Sequence, residues 1–214
     1  MTTTKQETRL AVAAALLEAR IVELRPAEPF TWASGWKSPI YCDNRKTLSV
    51  PTLRSYIKNE LTRCVVEMFP AAETIAGVAT GAIAQGALVA DATGKPFVYV
   101  RSKAKDHGMG NLIEGEIAPG TRVVVVEDLI STGGSSLRAV EALRSAGCIV
   151  EGMVATFTYG FDVAREAFEA AGVPLYTLTD YAAVLQCAAE TGYIAARDIA
   201  VLSQWRKNPA EWGR

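Results

Sequence analysis

The sequence predicts an α/β fold with a mainly parallel central sheet flanked by helices, on three observations. Residues 123–126 are four consecutive valines, and such a run without polar alternation is typical of a strand covered on both faces. Strand-like and helix-like segments alternate from residue 74 to residue 179, as parallel strands joined by crossover helices do. Half of the 214 residues are apolar, so a sizeable core is available.

The elements are predicted in chain order from hydrophobic periodicity and turn residues. We expect a helix over residues 5–24, an extended irregular segment over 30–43 and a second helix over 52–69. The strands of the sheet are predicted at residues 74–80, 96–102, 123–126, 148–159 and 173–179, with helices at 82–92, 135–146 and 163–171. Two further helices are expected in residues 180–206. No linker rich in Pro, Gly or Ser divides the chain, so we predict one domain over residues 1–214.

Composition excludes several classes of protein. The net charge of -1 argues against a general nucleic-acid or membrane surface. No apolar stretch is long enough for a convincing membrane span, and the N-terminal segment lacks the features of a signal peptide. The four cysteines, without a CxxC pair or histidine partner, predict neither a zinc site nor a disulfide framework; they are Cys42, Cys64, Cys148 and Cys187. We therefore expect a soluble protein of the cytoplasm, where thiols stay reduced.

Two acids and a glycine-centred loop follow the valine run. Glu127 and Asp128 are expected at the carboxyl end of the strand, where open α/β sheets usually bind ligands. After them Gly133 and Gly134 tolerate positive φ, and Ser135 begins a helix-like run. Unpaired amides at a helix start form an anion site, which we expect four hydroxyls to supplement, those of Ser131, Thr132, Ser135 and Ser136.

A phosphorylated sugar satisfies this arrangement, because the loop can bind its phosphate while the two acids accept hydrogen bonds from its hydroxyls. The alternative is a buried strand followed by an ordinary N-capped helix, with merely solvated acids.

A basic loop lies between two predicted strands, at residues 101–120. It contains three cations and the only histidine of the chain, and it has too little apolar content to pack. We expect an exposed, mobile segment, and the alternative is an ordinary solvated loop. Beside a phosphate site, its cations could close over a polyphosphate and stabilise a departing diphosphate. A magnesium ion would share this task.

Three segments carry a resemblance to a known family. Residues 123–134, VVVVEDLISTGG, resemble the phosphoribosyl-diphosphate signature of type I phosphoribosyltransferases. Residues 30–46 and 101–115 resemble the N-terminal substrate segment and the catalytic loop of the orotate phosphoribosyltransferase family. The resemblance implies the type I phosphoribosyltransferase fold, with a small N-terminal hood formed by residues 1–46.

The resemblance also implies an activity and partners. The reaction would transfer the phosphoribosyl group of 5-phosphoribosyl 1-diphosphate (PRPP) to orotate with Mg²⁺, giving orotidine 5'-phosphate and diphosphate in pyrimidine (UMP) biosynthesis. The expected assembly is a homodimer that shares the 101–115 loop across its interface. No metal-binding residue is implied.

Residue roles follow from the same motifs. The catalytic residues would be Lys105, Asp106 and His107, with Lys105 stabilising the leaving group. Orotate would contact Ser131 and Tyr159, and Thr80 and Gly81 would line the diphosphate. The PRPP-binding residues would be Arg101, Lys105, His107, Glu127, Asp128, Leu129, Ile130, Ser131, Thr132, Gly133, Gly134 and Ser135.

The sequence departs from the family pattern at several positions. Ser102 follows Arg101, and the second cation of the loop comes one position later, as Lys103. Ala33, the pair Thr80–Gly81 and Tyr159 stand where relatives carry cationic residues.

Another donor must then bind the orotate carboxylate, and Lys37, Arg45 and the backbone amides of residues 40–43 remain alternatives. The aromatic side chains of Trp32, Trp36 and Tyr41 are predicted to pack within the hood rather than stack on orotate.

Two alternative functions are compatible with the sequence. Another type I phosphoribosyltransferase, acting on a purine or on uracil, would share the phosphate loop but not residues 30–46. A non-catalytic regulator that binds PRPP would not need the cationic loop.

Overall fold

The computed structural model describes residues 2–3, 6–32, 35–102 and 112–212. The helices are α1 (Gln6–Glu18), α2 (Pro51–Met68), α3 (Ile83–Thr93), α4 (Gly134–Ser145), α5 (Asp162–Ala170), α6 (Tyr181–Glu190) and α7 (Ala196–Lys207). A short 3₁₀ helix, here called the 44–49 turn, spans Asn44–Ser49. The strands are β1 (Thr2–Thr3), β2 (Val22–Leu24), β3 (Phe30–Thr31), β4 (Lys37–Ser38), β5 (Ile40–Cys42), β6 (Thr74–Val78), β7 (Phe97–Val100), β8 (Ile113–Glu114), β9 (Arg122–Ile130), β10 (Ile149–Thr158) and β11 (Leu175–Asp180).

The main sheet has the strand order β1-β11-β10-β9-β6-β7-β8. Its strands pair in parallel except β8, which is antiparallel to β7. The predicted α/β class is therefore confirmed, as are the two helices expected in the tail. Among the helices of the described residues, none is long and apolar enough to cross a membrane.

Helices cover both faces of the sheet, which explains the run of four valines. Val124 and Val126 belong to a core that includes residues of α1, α2, α3, α6 and α7. Val123 and Val125 belong to a second core, against α4 and α5. Because successive side chains of a strand point to opposite faces, a strand between two cores needs apolar residues at every position.

The first predicted helix is wrong at its carboxyl end. Helix α1 ends at Glu18, and Arg20 then adopts a φ of 52°. Residues Val22–Leu24 form strand β2, antiparallel to β5, and β3 pairs with β4 in the same way. Ile21 and Val22 are buried as extended chain, so tertiary packing overrides their helical spacing. The extended segment expected over residues 30–43 is confirmed for residues 30–32 and 35–43, and residues 33–34 lie outside the described residues.

Strand β9 is longer than its predicted bounds of 123–126. It continues through both acids to Ile130, because β10 pairs with it as far as Thr158. The loop that follows is consequently short, at residues 131–133. The carboxyls of Glu127 and Asp128 interact through a side-chain hydrogen bond, and both residues line the same cleft at the end of β9.

Parallel pairing brings several strand ends to one edge of the sheet. Strand β9 lies next to β6, and β6 lies next to β7. The amide of Ala79, just after β6, donates to the carbonyl of Val100 at the end of β7. The segment that joins β7 to β8 starts at Arg101, so it leaves the sheet beside the ends of β6 and β9.

Candidate active site

A cleft of about 290 Å³ lies at this edge of the sheet. One wall is the segment after β6, and the other is the end of β9 with the loop that leads into α4. The residues that line it are Val78, Ala79, Thr80, Gly81, Glu127, Asp128, Leu129, Ser131, Thr132, Gly133 and Ser135. The structure thus brings together most of the predicted phosphate-loop residues with Thr80 and Gly81, whereas Ile130 is buried in the core.

The loop into α4 has the backbone of an anion site. Gly133 has a φ of +83°, and a Cβ there would lie 3.0 Å from a ring carbon of Phe168, so both conformation and space require glycine. Gly134 lacks the positive φ that was expected, because it is already helical. The first-turn amides of α4 have no intrahelical acceptor and are available to a phosphate. Thr132 and Ser135 are exposed beside them.

The carboxylate of Glu127 is buried and hydrogen-bonded within the protein, which its position at the end of a strand does not indicate. Its side chain is 4% exposed; Oε1 accepts from the amide of Asp128 at 2.9 Å and Oε2 from the hydroxyl of Ser136 at 2.8 Å. Burial, followed by the charge of Asp128, raises the pKa of Glu127 well above its ordinary value. Ser136 is itself buried, so its expected role as a phosphate donor is wrong.

Asp128 presents its carboxylate towards the opposite wall. A Cβ built on Gly81 would lie 2.1 Å from Asp128 Oδ2, so the two walls meet through a glycine and a carboxylate. Burial raises the pKa of Asp128, and the side-chain hydrogen bond with Glu127, followed by the charge of Arg45, partly opposes this shift. Such a carboxylate can accept hydrogen bonds from sugar hydroxyls or bind a cation.

Arg101 stands where the predicted basic loop leaves the sheet. Its amide donates to the carbonyl of Leu112, and Nη1 lies 3.4 Å from Oε1 of Glu114. The chain therefore departs from β7 and returns to β8 at neighbouring positions. The three predicted catalytic residues, Lys105, Asp106 and His107, lie outside the described residues, as does Lys103.

Tyr159 does not line the cleft. Its side chain is 2% exposed, and burial raises the pKa of its hydroxyl well above the usual range. The rings that surround it, with centroids 5.1–5.7 Å away, are Trp32, Phe157, Phe161 and Trp205. Its contact with orotate stays a prediction.

The aromatic residues of the N-terminal segment mostly contact one another. Trp32 packs edge-on against Trp205 and donates from Nε1 to the carbonyl of Ile40. Trp36 stacks on Trp32 at 6.4 Å between ring centroids, and Tyr41 packs against Phe30 at 5.5 Å. These rings thus pack against other aromatic side chains of the protein, Trp32 also against Tyr159, and the choice between this packing and stacking on orotate stays a prediction.

The alternative donors for a carboxylate already have partners inside the chain. Lys37 Nζ donates to the hydroxyl of Thr31 at 2.8 Å, and Arg45 forms an ion pair with Asp43 at 2.7 Å. The amides of Ile40 and Asp43 have acceptors in Ser38 Oγ and the carbonyl of Ile21. The alternatives stay open, and Lys37 and Arg45 keep exposed side chains.

The carboxylates of the cleft fit a magnesium ion that arrives with its ligand. No group of three or more His, Cys, Asp or Glu side chains suited to a metal occurs within the described ranges. Mg²⁺ is commonly bound by one or two carboxylates together with substrate phosphates. Asp128, with a pKa raised by burial, is a donor of the kind that a divalent cation stabilises in its charged form.

Sequence reasoning missed one residue of this region, Asn44. Its Nδ2 donates to the main-chain carbonyl of Asp128 at 2.6 Å across 84 residues of sequence. An asparagine after an aspartate in an irregular segment indicates a local turn. Nothing in the local pattern indicates its distant partner.

Comparisons with known proteins agree with this geometry. A family model described as a phosphoribosyl transferase domain matches residues 65–159. An orotate phosphoribosyltransferase from Bacteroides fragilis is 68% identical over 197 residues, which cover 92% of this chain and 93% of the relative. The crystal structure of orotate phosphoribosyltransferase from Aeropyrum pernix matches with a TM-score of 0.75 and 30% identity, over 86% of this chain and 99% of that one. The Mycobacterium tuberculosis enzyme in complex with PRPP matches with a TM-score of 0.64 and 26% identity, over 83% and 98%.

Proposed function

The chain belongs to the orotate phosphoribosyltransferase family, and from this premise we propose that its cleft binds PRPP and transfers the phosphoribosyl group to orotate. The products are orotidine 5'-phosphate and diphosphate, as the pyrimidine-biosynthetic role of the family requires. One observation carries the placement of the reaction. The free first-turn amides of α4 and the carboxylate of Asp128 face one cleft, so a phosphate and a ribose can be bound together.

The phosphoribosyl half of PRPP is assigned to β9 and the loop after it. The backbone at Thr132, Gly133 and Ser135 would bind the 5'-phosphate, while Asp128 accepts from the ribose hydroxyls. Glu127 would contribute mainly by fixing the amide of Asp128, to which it is already bonded. Ser131, at the start of the loop, is assigned contacts with both PRPP and orotate.

The diphosphate is assigned to the wall after β6 and to the basic loop. When the bond from the anomeric carbon to the diphosphate oxygen breaks, its electron pair leaves with the diphosphate, and the ribose ring becomes oxocarbenium-like. Cations near that oxygen lower the barrier. Arg101 starts at the correct edge of the sheet, and the motif match assigns leaving-group stabilisation to Lys105, with Asp106 and His107 beside it.

The orotate ring nitrogen then bonds to the anomeric carbon, and the proton that this nitrogen carried passes to the departing diphosphate. Water must be kept away from this carbon, because it would otherwise hydrolyse the activated sugar. Tyr159 and one of Lys37, Arg45 or the 40–43 amides are proposed to orient orotate. Mg²⁺, held by the substrate phosphates with Asp128, would supply charge neutralisation for the diphosphate.

The remaining proposals concern the whole protein. We infer one domain over residues 1–214, with residues 1–46 as a hood, and a cytoplasmic homodimer in which the 101–115 loop serves the partner's site. The resemblance of residues 101–115 to the family's catalytic loop supports the shared loop.

A spectrophotometric assay tests the activity. Purified protein with Mg²⁺, PRPP and orotate should consume orotate, and replacing orotate by adenine, hypoxanthine or uracil should give no turnover. Turnover of a purine or uracil without turnover of orotate would overturn the proposed substrate. PRPP binding without turnover of any base would show a regulator instead of an enzyme.

A further inference from the structure

A chain of three hydrogen bonds, two of them buried and one partly buried, joins the 44–49 turn to the two walls of the cleft. Nδ2 of Asn44 donates to the carbonyl of Asp128 at 2.6 Å. The hydroxyl of Thr47 donates to the carbonyl of Asn44 at 2.6 Å and accepts from Nε2 of Gln85 at 3.4 Å. The three residues are 5%, 1% and 3% exposed, respectively. The hydroxyl of Thr47 donates its one proton and accepts one hydrogen bond, which a hydroxyl group can do at the same time.

These bonds connect both walls of the cleft to the 44–49 turn. Asp128 belongs to the β9 wall. Gln85 lies in the first turn of α3, which starts immediately after the Thr80–Gly81 wall.

Asn44 contacts β9 beyond the last residue of β9 that pairs with β6. The pairing of β6 with β9 ends at Val126, whereas β9 continues to Ile130. On the β6 side, the chain around Asp128 therefore has no neighbouring strand. The side-chain amide of Asn44 supplies a donor at that point, and it fixes the peptide that carries the carboxylate of the cleft.

Two atoms of the same cluster are buried without a partner. Oδ1 of Asn44 and Oε1 of Gln85 have no hydrogen bond within the described part of the chain. Buried unpaired acceptors cost free energy, and apolar residues of similar shape would avoid that cost. The presence of two such groups beside the cleft suits a role for their donor ends other than stability.

We propose that Asn44, supported by Thr47 and Gln85, is a positioning residue for the PRPP side of the cleft. The inference rests on the proposed function, since it assumes that the cleft binds PRPP. Asn44 lies in the N-terminal segment that the family resemblance associates with orotate. Its only side-chain hydrogen bond among the described residues, however, is to the β9 wall. Loss of Asn44 should therefore weaken PRPP binding and leave orotate binding unchanged.

Two variants and one rescue test this role. Asn44→Ala removes the donor, and Thr47→Val removes the hydroxyl that orients Asn44 at nearly constant volume. Each should raise the KM for PRPP about tenfold, the equivalent of one hydrogen bond or ~1.4 kcal/mol. The KM for orotate and kcat should stay within about twofold, because the loss is equal in the ground state and the transition state. Thr47→Ser keeps the hydroxyl and should restore the KM for PRPP.

Two controls separate positioning from general destabilisation. Asn59→Ala removes an exposed asparagine of α2 and should change neither stability nor KM. Val184→Ala truncates a buried residue of α6 and should lower the melting temperature without changing the KM for PRPP. Calorimetric titration of each variant with PRPP gives a direct measure of binding that does not depend on turnover.

The outcomes are distinct. Weaker PRPP binding in Asn44→Ala and Thr47→Val, with recovery in Thr47→Ser, supports the inference. Variants that melt at a lower temperature but bind PRPP as tightly as the wild type overturn it. Equal losses of affinity for PRPP and orotate also overturn it. If the wild type binds PRPP but transfers nothing to orotate, the proposed reaction fails, and the titrations still decide the role of Asn44.

Discussion

Glu127 and Asp128 are adjacent acids with different surroundings. Glu127 uses both oxygens inside the protein, towards its neighbour's amide and Ser136. Asp128 faces the cleft and almost touches Gly81. The two carboxyls also interact with each other, but only that of Asp128 lies against Gly81. Substitutions at the two positions should consequently separate stability from ligand binding.

Glu127→Gln should change how stability depends on pH. The pKa of Glu127 is raised in the folded protein, while in the unfolded chain it is about 4.3. Below the pKa of the unfolded chain, the carboxyl is protonated in both the folded and the unfolded state, so it does not change the free energy of unfolding. As the pH rises through the folded pKa, the buried group must ionise and stability falls. Glu127→Gln lacks this loss and should melt at a higher temperature than the wild type at pH 8, by about 2–4 °C per kcal/mol relieved.

Thermal unfolding between pH 4 and pH 8, without metal or ligand, measures this difference. The gap between Glu127→Gln and the wild type should narrow as the pH falls towards 4. Glu18→Gln, at an exposed position of α1, serves as the control and should follow the wild type throughout. A gap that is constant over the whole range would contradict the prediction.

Gly81→Ala should disable the cleft. The new Cβ would lie 2.1 Å from Asp128 Oδ2, so either the carboxylate or the loop after β6 must move. A displacement of about 1 Å at a catalytic site lowers activity by about 100-fold. Steady-state kinetics would measure kcat/KM for PRPP.

Gly94→Ala is the matched control for this substitution. Gly94 ends α3 with a φ of +64° and open space around its Cα, so alanine should cost about 1 kcal/mol of stability and no activity. Similar kcat/KM values for Gly81→Ala and the wild type would show that the approach of the two walls is unimportant.

At the scale of elements, the sequence predicts interiors better than ends. Buried strands and amphipathic helices have periodic patterns, and the structure confirms the alternation from β6 to β11. The ends are set by distant partners. β9 extends through its acids because β10 runs beside it, and α1 stops early because residues 22–24 pair with β5. The local sequence does not indicate the positive φ of Arg20, whereas the positive φ of Gly133 occurs at a glycine, where it is expected.

Asp180 joins three elements, and its substitution should affect stability alone. Its Oδ1 accepts from the amide of Ala183 at the start of α6, and both its oxygens bind the guanidinium of Arg9 on α1 at 2.7 Å. Asp180→Ala loses the cap and the partly buried ion pair, which should lower the unfolding free energy by about 2–3 kcal/mol. Asp180→Asn keeps an acceptor for Ala183 and should lose about half as much. Denaturant unfolding measures both.

The kinetics of the same variants test whether substitution of Asp180 affects stability alone. Both should retain wild-type KM values for PRPP and orotate, since Asp180 does not line the cleft. Equal stabilities of Asp180→Ala and Asp180→Asn would show that the helix cap contributes nothing.

At the scale of the whole molecule, local motifs predict the cleft but not the long-range contacts that hold its walls in place. The phosphate loop is contiguous in sequence, so its composition alone indicates an anion site. The contacts of Asn44 with β9 and of Gly81 with Asp128 join residues 84 and 47 positions apart. Such contacts depend on how the chain folds back on itself, which no local pattern of residue types encodes. The same holds for Tyr159, whose aromatic neighbours come from both ends of the chain.

Hybrid dimers should test the proposed sharing of the basic loop. Lys105→Ala disables the loop, and Asp128→Ala disables the cleft. In a mixed population, one site of each hybrid dimer would combine an intact loop with an intact cleft. After subunit exchange in an equal mixture, about a quarter of the wild-type activity should return. Exchange demonstrated by native mass spectrometry without recovery of activity would refute loop sharing.

The two outer strands of the sheet, β1 and β8, are each only two residues long. In the described part of the chain, each outer strand therefore presents only two residues of strand backbone at its margin, a short template for a further strand. Intermolecular strand addition, a common route to aggregates and fibrils, would have to start from these short outer strands of the described main sheet. Concentrated solutions of this protein should accordingly remain clear until heat opens the sheet itself.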